Sequence, residues 1–272
     1  MQFVDAISLE PQMVLLIVLC GFAIGVLSGM FGIGGGTLIV PLYNLAFGLP
    51  MIAATATSLF TIVPTALSGA LRHLRQKTIH FKVGIIIGLT GACFSVIGSL
   101  IAGSVPELVL VLITVAVILY SAITMILKAR EKSFAPTAST EQAAQKASDL
   151  RKRSALFIVL GAIAGLTAGL VGIGGGFIIV PFCVAVLGFS LKESAGTSLL
   201  AISIIAIPGI ITHGMLGQIA WLYGLALIVG TIPGAQLGAW LAAKLPERPL
   251  RAAFGILLCV SAVLLLVKNI GV

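Results

Sequence analysis

Apolar residues in this chain run in long unbroken stretches. They do not follow the alternations that mark a helix or strand with one wet face. Residues 13–31, 83–103, 107–127, 219–242 and 252–267 each approach the ~20 residues a helix needs to cross a bilayer. Shorter apolar segments fill the intervals, so each half of the chain reads as five segments. In the first half they are about 13–31, 37–49, 52–71, 83–103 and 107–128. In the second they are about 155–172, 177–188, 194–213, 219–242 and 249–267. The pattern predicts an all-α integral membrane protein with a first membrane unit at 1–128 and a second at 154–272. Between them, 129–153 is the only long polar stretch and reads as a linker.

The halves are copies of one another. At an offset of 140, GVLSGMFGIGGGTLIVP (25–41) lies over GLTAGLVGIGGGFIIVP (165–181). The register then holds without a gap to Pro106-Glu107 over Pro246-Glu247, with about two dozen identities in 83 positions. Internal self-similarity of this kind marks duplicated structural units. The second segment of each half has only 12–13 residues, or about 18–20 Å of helix, against a hydrocarbon core of about 30 Å. The GIGGG run before it is therefore expected to reach membrane depth, where irregular backbone survives only beside protein or a watery cavity.

Composition agrees with burial in lipid: 59 % of the 272 residues are apolar and 9 % charged, and the mean hydropathy is +1.21. The net charge of +8 sits in short loops rather than in a basic stripe interleaved with aromatics, which argues against nucleic acid. Loop 72–82 carries Arg72, Arg75, Lys77 and Lys82, whereas its mate 212–222 carries no base. Loop 244–251 carries Lys244, Arg248 and Arg251, whereas its mate 104–111 carries none. Equivalent loops thus have opposite charge bias. The positive-inside rule then implies inverted-topology repeats of about five crossings each, with both termini non-cytoplasmic and the linker cytoplasmic. In that arrangement 15 of the 16 bases fall inside, and Lys268 is the exception. Cys20, Cys93, Cys183 and Cys259 stand singly in apolar segments and read as packing residues.

Inverted repeats with interrupted helices are the architecture of secondary transporters, whose sites lie near the midplane. Each glycine run leads into a short helix whose first N–H groups lack intrahelical partners and whose dipole is positive at that end, a setting for an anion. The candidate substrate-binding residues are Gly34, Gly35, Gly36 and Thr37, with their counterparts Gly174, Gly175, Gly176 and Phe177. The same glycines would also suit close helix crossing. Thr57, Ser58, Thr197 and Ser198 recur in the third segments; their hydroxyls either donate to an anion or bond back to the preceding turn. His73 and His213, matched at the ends of those segments, are candidate gates or proton carriers, or interfacial anchors. Tyr43, Asn44 and Gln236 either line the cavity or bond to neighbouring helices. Unmatched His80, in a basic loop, reads as solvated. Trp221 and Tyr223, near the start of a crossing, read as an interfacial belt.

All eight acids fall in loops, tails or segment ends, so no carboxylate relay of the kind common in proton- and sodium-coupled carriers is expected. No metal ligands cluster and no cofactor motif follows either glycine run, which lacks the Lys-Ser/Thr of a phosphate loop. No nucleophile–base pair in a recognisable motif points to an enzyme.

The duplicated G-x-x-G-I-G-G-G-x-x-x-V-P pattern reads GMFGIGGGTLIVP at 29–41 and GLVGIGGGFIIVP at 169–181. With the A-T-S-L and G-T-S-L elements at 56–59 and 196–199, it resembles the TauE/SafE family of sulfite exporters over nearly the whole chain. The resemblance implies a bacterial-type inner-membrane permease for sulfite, sulfonates such as sulfoacetate, or related organosulfur anions, generally in the direction of export. The expected partners are a small anionic substrate and the bilayer; nothing in the sequence indicates a homo-oligomer. An inside-negative potential expels each negative charge with about 2.3 kcal/mol per 100 mV, roughly 40-fold in concentration, so export needs no coupling ion. An anion channel, or a permease for another small anion, is the competing reading.

Overall fold

The computed structural model describes residues 11–130, 154–242, 244 and 247–270. The expected linker, from residue 131 onward, and the N-terminal residues 1–10 lie outside the described residues. Among the described residues ten α-helices follow one another: α1 (Pro11–Phe31), α2 (Gly36–Pro41), α3 (Met51–Arg75), α4 (Phe81–Ala102), α5 (Glu107–Arg130), α6 (Ser154–Val171), α7 (Gly176–Val186), α8 (Leu191–Met215), α9 (Trp221–Leu241) and α10 (Glu247–Ile270). A π turn, Leu42–Ala46, extends α2 directly after Pro41, whose ring supplies no N–H to continue the α ladder. Among the described residues there is no strand. Among the described residues seven helices are long and apolar enough to cross a membrane: α1, α3, α4, the Glu107–Thr124 part of α5, α6, α8 and α9.

Packing is exchanged between the two halves. α1 lies along α9 and α6 lies along α4, while α3 and α8 meet at the centre and α5 pairs with α10. Backbones touch where the glycines recur. Gly21, Gly25 and Gly29 meet Leu227, Thr231 and Ala235 in order, so α1 and α9 run parallel. Gly161, Gly165 and Gly169 meet Thr90, Gly91 and Ser95 in the same way. A Cβ at Gly29 would fall 2.1 Å from the Ala235 carbonyl oxygen, and one at Gly169 would fall 2.1 Å from that of Ser95. Lipid gives little hydrophobic drive between apolar helices, so this closeness is what holds them together. α3 and α8 are antiparallel, since Gly69 meets Leu199 while Gly209 meets Leu59. They are also the most enclosed of the crossing helices.

The loops sort to two ends. At one, the His80 N–H donates to Thr197 Oγ1 at 3.0 Å, Gln76 Nε2 donates to the Ala239 carbonyl, and the His80 ring stacks on Phe189 with centroids 4.0 Å apart. Arg72, Arg75, Lys77, Lys82, Lys192 and Lys244 gather there. At the other end, the Met51 N–H donates to Glu107 Oε1 at 3.0 Å and the Ala220 N–H to Thr57 Oγ1 at 2.9 Å. Lys268 is the one described base there, and its ammonium donates to the Asn44 carbonyl within the π turn.

Three polar residues differ from their sequence reading. His80 is not freely solvated, because it is stacked on Phe189 and lies 3.4 Å from Glu193 Oε1. Tyr223 is buried against Phe47, leaving Trp221 alone of that pair exposed. Gln236 is exposed on the outer face of α9, whereas Tyr43 and Asn44 bond within the protein.

Candidate functional site

α1 ends where Gly32 enters the left-handed region at φ +69°, and α2 begins after two further glycines with φ of +77° and +83°. Gly172, Gly174 and Gly175 repeat this at +74°, +79° and +76°. A side chain at such φ is strained, so three of the five residues in each break are glycine for conformational reasons. The other glycine of each run, Gly36 or Gly176, is there for space. A Cβ on Gly36 would lie 2.6 Å from Ile173 Cα, and one on Gly176 would lie 2.7 Å from Ile33 Cα. The two runs therefore pass side by side in opposite directions, each opening helix resting on the other's loop.

α1 descends from the uncharged end to the basic end, and α2 turns back toward the uncharged end, where Asn44 and Leu49 lie. α6 and α7 make the same turn from the other side, so Phe189 arrives at the basic end beside His80. Gly32 sits against Ala195 near the start of α8, and Gly172 against Thr55 near the start of α3. Between them, Gly34 and Gly174 face the side-chain ends of Ile62 and Ile202. These two isoleucines occupy equivalent positions on α3 and α8 and cap the crossing of the loops. Their identity at the offset of 140 was a signal in the sequence for residues that its polar groups did not bring forward.

In both halves the first helical bonds run to the left-handed glycine. Leu38 and Ile39 donate to the Gly35 carbonyl, and Ile178 and Ile179 donate to that of Gly175. The N–H groups of Gly36 and Thr37, and of Gly176 and Phe177, precede those bonds and have no intrahelical acceptor. They are buried, where a backbone donor without a partner is rare.

The hydroxyls divide between different tasks. Ser58 Oγ donates to the Gly172 carbonyl at 2.8 Å, and Thr55 Oγ1 donates to that of Val171 at 3.3 Å, which pins α3 to the second break. Ser198, the counterpart of Ser58, has a buried Oγ without a partner, as have Ser28 and Thr37. Thr57 and Thr197 are drawn away from the glycine runs. Each accepts the N–H of the residue preceding a helix of the opposite half, Ala220 before α9 and His80 before α4. Tyr43, fully buried in the π turn, bonds Thr61 Oγ1 at 3.2 Å and donates to the Tyr223 carbonyl at 3.3 Å.

His73 and His213 are fully buried and tie the ends of α3 and α8 to the last turn before each break. Nε2 of each lies 3.2 Å from a carbonyl, Gly29 for His73 and Gly169 for His213. A carbonyl only accepts, so Nε2 carries the proton. Nδ1 of His73 meets Thr78 Oγ1 at 3.0 Å, and Nδ1 of His213 meets the Gln218 side-chain amide at 2.6 Å.

Residues 17–265 match the family model described as sulfite exporter TauE/SafE. A probable membrane transporter protein of Bacillus subtilis, YdhB, is 30 % identical over 257 residues, covering 93 % of this chain and all of the relative. The probable membrane transporter protein MJ0441 of Methanocaldococcus jannaschii is 29 % identical over 242 residues, covering 86 % of this chain and 85 % of the relative. YunE of Bacillus subtilis, another probable membrane transporter protein, is 27 % identical over 248 residues, covering 86 % and 90 %. No solved structure matches the chain. With its glycine breaks, seven long apolar helices and family match along nearly its full length, the chain belongs to the sulfite exporter TauE/SafE family and is a multi-pass membrane transporter.

Proposed function

We propose that the protein is a secondary carrier that exports small sulfur oxyanions, sulfite or sulfonates such as sulfoacetate, across a bacterial-type inner membrane by alternating access around the two glycine breaks. One observation carries this reading. The breaks pass antiparallel beneath Ile62 and Ile202, where the first N–H groups of two opposed half-helices lie buried among uncharged residues. Helix N-termini and free N–H groups favour negative charge, and binding without an arginine or lysine allows the anion to leave again. Gly34, Gly35, Gly36, Gly174, Gly175 and Gly176 supply the backbone donors, joined by those of Thr37 and Phe177. Ser58 and Ser198 are the hydroxyls of the third segments that belong to this reading, with Thr57 and Thr197 beside them holding backbone N–H groups of the opposite half. Sulfur oxyanions enter this reading through the family's description.

The halves act as inverted repeats. Two long crossing helices that occupy equivalent positions and run antiparallel, α3 and α8, support a pseudo-two-fold axis lying in the membrane plane. The clustering of bases at one end supports a cytoplasmic side there, with both termini opposite. His73 and His213 serve as gate anchors. Each joins a long helix to the turn before a break, so opening toward one side requires loosening one of them.

The test is counterflow of labelled sulfite into proteoliposomes, with sulfoacetate, thiosulfate, sulfate and acetate as competitors. Saturable exchange inhibited by sulfur oxyanions is expected. Unsaturable flux far above carrier rates, or exchange that acetate inhibits as well as sulfoacetate, would refute it.

A further inference from the structure

The two glycine breaks are not chemically equivalent, although their backbones are. Four buried hydroxyls without a hydrogen-bond partner belong to the surroundings of the first break: Ser28 on α1, Thr37 on α2, and Ser194 and Ser198 on α8. All four are fully buried. The Cβ position at Gly35 lies 3.4 Å from Ser28 Cβ, and Thr37 is two residues further on. Ser194 and Ser198 flank Ala195, against which Gly32 packs. The internal duplication supplies the control. At the offset of 140 the counterparts around the second break are Ala168 for Ser28, Phe177 for Thr37 and Ala54 for Ser194. The fourth, Ser58, spends its hydroxyl on the Gly172 carbonyl. The same fold therefore forms around the second break with apolar or satisfied side chains, so packing does not require hydroxyls at these positions. A buried hydroxyl left unpaired destabilises a protein, and four retained around one loop point to an occupant that is not part of the chain. Ser95 and Ser99, the other unpartnered serines, face Gly209 in the crossing of α4 and α8.

We propose that the first break alone carries a side-chain subsite, hydroxyl donors from Ser28, Thr37, Ser194 and Ser198 for the oxygens of one small oxyanion, while the second break contributes backbone N–H groups only. The proposal rests on the anion-carrier reading above and deepens it. A hydroxyl donates one hydrogen bond and carries no charge, so four of them suit a compact anion with three or more oxygens, such as sulfite or a sulfonate, in preference to a halide. The cluster lies toward the basic end, because Thr197 and Gly196 beside it contact His80 and His73. The bases at that end raise the local concentration of anions, which makes the cluster a loading site on the side carrying Arg72, Arg75, Lys77 and Lys192.

The experiment is thermal melting of purified, monodisperse protein in detergent, titrated with sodium salts of sulfite, methanesulfonate, nitrate, acetate and chloride. The variants are the S28A/S194A pair, which installs the residues already found around the second break, T37V, and T114V as a remote control. Thr114 Oγ1 bonds back to the Leu110 carbonyl in α5. S28A/S194A and T37V are expected to fold with unchanged or higher ligand-free melting temperature and to bind the stabilising anion at least tenfold more weakly, while T114V binds as the parent does. Affinity within twofold of the parent in both hydroxyl variants would overturn the proposal, as would their failure to fold, which would make the hydroxyls structural. A parent stabilised by nitrate or acetate but not by sulfite or methanesulfonate would refute the sulfur-anion reading only, and the variants then test the subsite with that anion. A parent indifferent to every anion would overturn both.

Discussion

Replacing the left-handed glycine of each break by alanine separates backbone strain from crowding. Gly35→Ala and Gly175→Ala place a methyl at nearly the same φ, +83° and +76°. The strain of that conformation is common to both, about 1–2 kcal/mol. Their surroundings differ. At 35 the new Cβ meets Ile24 Cγ2 at 3.2 Å, Ile39 Cδ1 at 3.4 Å and Ser28 Cβ at 3.4 Å, all side-chain atoms able to yield by a few tenths of an ångström. At 175 it meets the Ala164 carbonyl oxygen at 2.8 Å and Ala164 Cβ at 2.9 Å. That atom belongs to the backbone of α6, which is itself seated against α4 through Gly161 and Gly165. Overpacking a closed site adds about 1–3 kcal/mol. The expected losses are therefore about 1–2 kcal/mol for Gly35→Ala and about 2–5 kcal/mol for Gly175→Ala. Reversible unfolding by SDS in mixed micelles, followed by tryptophan fluorescence, measures both. Exchange per folded molecule should fall in Gly35→Ala beyond its loss of stability, since the break re-aims the N–H groups of Gly36 and Thr37. Equal losses, or a larger loss at 35, would refute the reasoning from geometry. Undiminished exchange in both variants would sink the role given to the breaks.

His213→Ala leaves the Gly169 carbonyl unpaired in a buried crossing, and His73→Ala does the same to Gly29; each is expected to cost about 1–3 kcal/mol, read in the same assay, with partial recovery in the glutamine variants. Single cysteines at Lys77 and Gly217, placed in a background lacking the four native cysteines, are expected to react with an impermeant maleimide from opposite sides of the membrane, Lys77 from the cytoplasm. Labelling of both from one side would overturn the antiparallel crossing of α3 and α8 and the topology built on it. Tyr43→Phe removes the hydroxyl that joins the π turn to Thr61 and to the Tyr223 carbonyl, and a loss of about 1 kcal/mol is expected on melting.

What the sequence determined by itself follows from properties that every residue carries regardless of its neighbours. Apolar length set the crossings, because a helix in lipid must satisfy its own backbone over the whole hydrocarbon depth. The offset of 140 exposed the duplication, and glycine, the residue that tolerates positive φ, marked both places where a helix breaks. Loop charges divided the loops into two sets along the chain, and among the described residues Lys268 lies at the end opposite the loop that carries Arg72, Arg75, Lys77 and Lys82.

Tertiary structure decided how the polar side chains are employed. Thr57 and Thr197 belong to a motif beside Ser58 and Ser198, yet one helical step turns them toward the opposite half, where each receives a backbone N–H. Ser58 and Ser198 are identical letters at equivalent positions, but one is bonded to a carbonyl and the other is not. Ile62 and Ile202 are ordinary apolar residues in the sequence and come to lie over the two glycine breaks only because α3 and α8 cross there. A hydroxyl's partner is fixed within about 3 Å and by direction, and those are quantities set by the packing of helices far apart in the chain. Period and composition act along the chain; hydrogen bonds and clearances act across it.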